Sequence, residues 1–136
     1  MSAVLLDTNA LIYVAKDLPI SRQARSALSR ATRRGELFVS PISAWEIGLL
    51  DAKQRSRFLP DPKTWFFDLI AREDISIAPL LPEIMFDSWS LPGTLHGDPA
   101  DRMLIATARH LNASLMTRDD RILAYAAAGH VKAIAC

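Results

Sequence analysis

The chain reads as an α/β protein with a five-stranded, mainly parallel sheet flanked by helices. Five short apolar segments, Val4–Leu6, Leu37–Ser40, Ile75–Ala78, Ser114–Thr117 and Val131–Ile134, have the length and composition of buried strands. Segments with helical spacing separate them. Parallel strands need a crossover connection, and a helix is the usual one, so this alternation predicts parallel pairing. At 136 residues, half of them apolar and without a repeat or low-complexity tract, the chain has the size of one domain over 1–136 with a core of its own.

Each element carries its own signal. The first strand runs into Asp7-Thr8-Asn9, where Asp7 can cap a short helix over Ala10–Val14. Around Ser21–Arg34, Ala24, Ala27, Leu28 and Ala31 occupy one side of a helix. Arg22, Arg25, Arg30, Arg33 and Arg34 occupy the other, with no acid among them. Gly35 and Gly129 stand where helix C-terminal glycines are expected. Ser40-Pro41 offers a cap followed by a proline at the first helical position, where its missing N–H is harmless. Asp61-Pro62 and Asp98-Pro99 repeat that form. The helix over 62–72 buries Trp65, Phe66, Leu69 and Ile70 at spacings of three and four. Pro82 starts a further helix that contains Met85 and Trp89 and ends near Pro92. A loop from Pro92 to Gly97 then leads into Asp98.

The formal charge is +1, from 16 basic and 15 acidic residues, a balance that alone says nothing of nucleic acid. With Asp7, Glu46, Asp98, Asp101 and Asp119 set aside as a metal site, that +1 becomes +6, a basic remainder suited to a polyanion. The single cysteine is Cys136, so no intramolecular disulfide forms, which suits a reducing compartment. The N-terminus has no basic stretch followed by a long apolar one, and no apolar run approaches the roughly 20 residues of a bilayer span. The expectation is a soluble, cytoplasmic protein with no membrane partner.

The acids follow the strands. Asp7 closes the first, Glu46 lies just beyond the second, Asp98 and Asp101 open the helix before the fourth, and Asp119 and Asp120 follow the fourth. Side chains beyond the carboxyl ends of parallel strands converge in one crevice. Carboxylates gathered there repel each other unless a cation neutralises them, and hard oxygen ligands favour Mg²⁺ or Mn²⁺. Metal-dependent phosphodiester chemistry is the reaction class this suggests. Every acid also has a structural alternative. Asp7 can be a cap. Glu46 can lie solvated at the edge of its helix's apolar stripe. Asp98 is a plausible cap and Asp101 falls at the third helical position, as in a capping box, so Asp101 is the better ligand candidate. One of Asp119 and Asp120 can cap the last helix while the other faces a metal. Thr117 can orient a water or a ligand. Arg102 and Arg118 flank the acids as candidate phosphate contacts, each with a salt-bridge alternative. His96 reads as a surface-loop residue, and His110 and His130 as structural residues near helix ends.

Taken together, Leu6-Asp7-Thr8-Asn9, Ser43-Ala44-Trp45-Glu46-Ile47, Asp98-Pro99-Ala100-Asp101-Arg102 with Ile105-Ala106-Thr107-Ala108, and Thr117-Arg118-Asp119 resemble the PIN-domain family, in particular the toxins of VapBC-type toxin–antitoxin pairs. The resemblance spans essentially the whole chain. It implies a five-stranded parallel sheet and an endoribonuclease in which Asp7, Glu46, Asp101 and Asp119 hold Mg²⁺ or Mn²⁺ and a metal-activated water cleaves RNA. It implies supporting roles for Thr8, Asn9, Asp98 and Thr117, a homodimer, and silencing by a cognate antitoxin protein.

Two other readings remain open. A phosphatase of the haloacid-dehalogenase type needs an aspartate two residues beyond the first, where this chain has Asn9, and a receiver domain needs a late lysine that Lys132 is badly placed to supply. A binding module would use the same carboxylates only as caps and surface charges.

Overall fold

Side chains of the first strand alternate between two faces, and that alternation sorts the rest of the chain. In the computed structural model, which describes residues 3–136, β1 (Val4–Leu6) sends Val4 and Leu6 to one side and Leu5 to the other. Met1 and Ser2 of the expected 1–136 domain lie outside the described residues. The order continues α1 (Thr8–Ala15), α2 (Arg22–Arg34), β2 (Leu37–Val39), α3 (Pro41–Ala52), α4 (Pro62–Arg72), β3 (Ser76–Ile77), α5 (Pro82–Asp87), α6 (Pro99–Leu111), β4 (Ser114–Thr117), α7 (Asp120–Ala127) and β5 (Ala133–Ala135). Val4, Leu6, Val39 and Met116 meet Leu11, Ala24, Ala27, Ala31, Ile47, Phe66 and Leu69 from α1 to α4 in one core. Leu5 and Leu115 meet Leu104, Ile105, Ala108, Ile122 and Tyr125 from α6 and α7 in the other.

The sheet has the order β3-β2-β1-β4-β5, and every pairing is parallel. The chain first builds outward from β1 through β2 to β3. It then crosses to the other side of β1, where β4 pairs in the register Leu6↔Met116. The order therefore reverses between β1 and β4, and a crevice opens beyond their carboxyl ends. The expected α/β architecture, parallel sheet and two-sided helices are all present.

Boundaries moved where local hydrogen bonds overrode composition. The first helix starts at Thr8 rather than Ala10, because the Asp7 side chain accepts from the Thr8 N–H at 2.7 Å. The last strand begins at Ala133. Val131 packs into the core, and only the Lys132 carbonyl meets β4, accepting from the Leu115 N–H at 2.9 Å. The helix from Pro82 ends at Asp87 rather than near Pro92. Ser88 closes it with an Oγ bond to the Met85 carbonyl at 2.6 Å, and Arg102 Nε binds the Ser88 carbonyl at 2.8 Å. Gly35 ends α2 in the left-handed conformation, at φ +66°, as its position suggested.

Candidate active site

Asp7 is the centre of the crevice. It leaves the end of β1, and its own N–H bonds to the Met116 carbonyl of β4 at 2.9 Å, directly over the reversal point. The side chain is nearly buried, with 6% exposure. One carboxylate oxygen caps α1, and the other accepts from Thr117 Oγ1 at 2.7 Å. Capping and site placement are thus not alternatives here, because the two oxygens divide the tasks.

Of the two partners that Thr117 could orient, a water or a ligand, the structure gives it the candidate ligand Asp7. Its fully buried hydroxyl donates to Asp7 and accepts the Asp119 N–H at 3.0 Å, tying the first acid to the last. Thr8 does the same for Glu46. Its hydroxyl donates to Glu46 Oε1 at 2.5 Å and stands 2.8 Å from Ser43 Oγ. Ser43 lies one turn before Glu46 on α3, so the helix presents both to α1. Sequence reading had assigned Ser43 no role, since a buried serine one turn from an acid carries no signal until its partner is known. Asn9 is exposed in the first turn of α1.

The other two acids arrive on helix starts. Asp98 caps α6 by accepting the Asp101 N–H at 3.0 Å. Asp101 Oδ2 lies 2.7 Å from His96 Nε2, with both side chains largely buried. His96 is therefore a partner of the site, not the free loop residue expected from its setting. Asp119 itself caps α7, its Oδ1 accepting from the Arg121 and Ile122 N–H groups at 2.8 and 3.2 Å. The division of labour expected between Asp119 and Asp120 does not occur, and Asp120 sits exposed in the first turn of α7. Asp119 Oδ2 faces Arg121 Nη2 at 3.4 Å, and the same nitrogen stands 4.0 Å from Asp101 Oδ2. Arg121 thus bridges the last two acids.

The electrostatics show one shared site. Burial pushes Asp7 above the ordinary carboxylate range, against the Thr117 hydrogen bond, and the charges of Asp101 and Asp119 add to the rise. Glu46 is raised by burial and then by Asp7, Asp101 and Asp98, against its bond from Thr8. Asp101 is raised by burial and by Asp98 and Asp119, against His96. Asp119 is the exception. Its partial burial acts upward, but hydrogen bonds from Arg121 and Ile122 bring it below the ordinary range. Four carboxylates in one field, three of them reluctant to ionise, form a donor set that fits a hard divalent cation. Among the described residues no three His, Cys, Asp or Glu side chains stand ready as a closed metal cage. Asp101 Oδ2 faces His96 and Asp119 Oδ2 faces Arg121.

The two candidate phosphate contacts have other partners. Arg102 Nε donates to the Ser88 carbonyl, and Nη1 reaches the Leu95 and His96 carbonyls at 3.5 and 3.4 Å. It clamps the loop that carries His96, which leaves its guanidinium badly placed for a phosphate. Arg118 is exposed, stacks 4.1 Å over the Tyr13 ring and donates to the Cys136 carbonyl at 2.8 Å. A larger, open cavity of about 1000 Å³ lies near the opposite ends of the strands, against Val4, Ser114 and Ala133. Two of the cations that line it bind the chain itself, Lys132 on Asn112 at the end of α6 and Arg109 on the His130 carbonyl, and Arg30 lines it as well.

The PIN domain family model matches residues 4–128. Ribonuclease VapC22 from Mycobacterium tuberculosis (strain ATCC 25618 / H37Rv) is 31% identical over 123 residues, which is 90% of this chain and 91% of that protein. A chain in the crystal structure of VapBC2 from Rickettsia felis, bound to a DNA fragment from its promoter, superposes with a TM-score of 0.71 at 16% identity, covering 98% of both chains. A chain of a toxin–antitoxin complex from Klebsiella pneumoniae gives 0.56 at 21% identity, over 86% of this chain and 87% of that one. The strand order, the acids at its reversal point and the match across nearly the whole sequence agree: the chain belongs to the PIN-domain family.

Proposed function

We propose that residues 1–136 form one PIN domain that hydrolyses RNA phosphodiester bonds as a cytoplasmic endoribonuclease, the toxin of a toxin–antitoxin pair. The observation that carries the reading is the set of four carboxylates at the β1–β4 reversal point, bound to one another through Thr8, Thr117 and Arg121. Similarity to a named ribonuclease over nine-tenths of the chain supports RNA as the substrate.

Asp7, Glu46, Asp101 and Asp119 would hold Mg²⁺ or Mn²⁺. When bound, such an ion supplies positive charge to the phosphoryl oxygens and makes water a better nucleophile at neutral pH. The chain supplies the positioning. Thr117 and the Thr8 N–H fix both oxygens of Asp7, so the carboxylate needs no reorganisation when substrate arrives. Thr8 holds Oε1 of Glu46 and so fixes the direction of that carboxylate. Asp98 sets the first turn of α6 and so the direction of Asp101. Arg118, exposed beside the last acid, contacts the RNA backbone. A cognate antitoxin protein silences the site, and two copies pair through the exposed apolar residues of the helices between 42 and 91.

Incubating total RNA with the purified protein in Mg²⁺, in Mn²⁺ and in EDTA tests the reading, with Asp7→Asn alongside. Discrete fragments should form only with metal, and the substitution should slow their formation by at least about 10–100-fold, the loss typical of disturbing a metal site. A folded protein that cuts no RNA with either ion overturns it.

A further inference from the structure

We infer that the cavity between the loop at 94–96 and the outer face of α7 takes the RNA nucleotide next to the scissile phosphate, with Arg121 as the residue that positions its phosphate. The inference rests on the ribonuclease reading above and names where that substrate lies.

The cavity holds about 430 Å³, within the roughly 300–1,000 Å³ of ordinary ligand sites. Thr94 and His96 line it from the loop, Arg121 and Ala124 from α7, Ala128 from the C-cap of that helix, and His130 from beyond it. No acid lines it, yet two of its lining residues, His96 and Arg121, touch the acids. His96 is bonded to Asp101, and Arg121 faces both Asp101 and Asp119. Residues 121, 124, 125 and 128 follow helical spacing, so they form one stripe along α7 and its C-cap. The two alanines in that stripe are exposed and leave the space open. Its walls are braced: Tyr125 donates its hydroxyl to the Pro92 carbonyl, and its ring lies 4.9 Å from that of His130.

A polyanion meets a difficulty at four carboxylates, since like charges repel. A cation beside them must receive the flanking phosphate. Arg121 is suited to this because its two ion pairs are long and its side chain is 62% exposed. Exposed pairs of that kind are weak, so the guanidinium turns to a phosphate at little cost. A phosphate also matches its planar fork of donors. The nucleotide is covalently joined to the reacting one, so a cavity whose walls include the Asp101 partners His96 and Arg121 is within its reach.

The test measures binding separately from cleavage. Asp7→Asn protein in Mg²⁺ is titrated against a fluorescein-labelled single-stranded RNA of mixed sequence, with polarisation read over a range of salt. Adding Arg121→Ala should weaken binding about 5–10-fold and flatten the plot of log affinity against log salt by about 0.7, one phosphate contact on a single strand. Adding Ala128→Leu, at an exposed position, should weaken binding by bulk alone and leave that slope unchanged. Melting temperatures close to that of Asp7→Asn exclude misfolding. If both variants bind within twofold of Asp7→Asn while the parent enzyme cleaves RNA, the cavity assignment is wrong and the ribonuclease reading stands. If Asp7→Asn binds no RNA and the parent cleaves none, the ribonuclease reading fails and the cavity assignment with it.

Discussion

Thr117 shows how much one hydroxyl can do at the end of a strand. It donates to Asp7 and accepts from the Asp119 backbone, so it sets two of the four acids at once. Thr117→Val keeps the shape and removes both bonds. RNA cleavage should fall about 10–100-fold, as when partners of metal ligands are removed, and stability should fall by about 1–3 kcal/mol from polar groups left unpaired. Wild-type cleavage by this variant would show that Asp7 needs no fixing. Glu46 gives a test of opposite sign. Its folded-state pKa lies above its ordinary value, so the folded protein binds a proton that the unfolded chain has already released. Stability then falls as pH rises through the window between the ordinary and the raised value. Glu46→Gln removes that charge and keeps an oxygen for the Thr8 bond. In EDTA at neutral pH its melting temperature should exceed the parent's by about 2–4 °C. The gap should close below the ordinary carboxylate range, where both proteins are neutral at this position. A melting temperature below the parent's at neutral pH would mean that the site stabilises the ionised form.

Among the helices, caps were the most legible feature. Ser40, Asp61 and Asp98 each accept an N–H of the first turn ahead of a proline, as the sequence suggested. Local chemistry decides such positions, since donor and acceptor lie within three residues of each other. The loop before α6 was legible only as a loop. Its course depends on Arg102 reaching back to three carbonyls and on a glycine. Gly93 has φ +69°, and a Cβ there would stand 2.5 Å from His130 Nε2. Gly93→Ala should cost about 1–3 kcal/mol through the left-handed backbone alone, with displacement of the His130 ring added to it. Urea denaturation measures this. An unchanged midpoint would mean the loop relaxes freely, and that His96 is not held in place by it.

For the molecule as a whole, the reversal of strand order between β1 and β4 is what gathers acids as far apart in the chain as Asp7 and Asp119. Parallel alternation was readable, and with it the rule that a crevice forms beyond the strand ends. The same fold leaves large apolar side chains outside. Trp45, Phe86 and Trp89 are 65%, 76% and 81% exposed, and large exposed apolar side chains of this kind are what a partner surface can cover. Light scattering on a sizing column should give the mass of two chains for the parent, and of one chain for Phe86→Asp combined with Trp89→Asp. A parent that elutes as a single chain at every concentration would remove the dimer from the proposed function.

By itself the sequence determined the α/β class, the parallel sheet and most helix starts, because each follows from periodicity, capping or residue type within a short window, and it offered the acids as candidates. Only the tertiary structure decided what those acids touch. That Thr117 holds Asp7, that Ser43 backs Thr8, that His96 and Arg121 face Asp101, and that Arg102 is a clamp are relations between segments distant in the chain. Local propensity carries no record of such partners. They come into existence when the sheet brings the strand ends together, and they decide which of several chemically similar side chains meets the substrate.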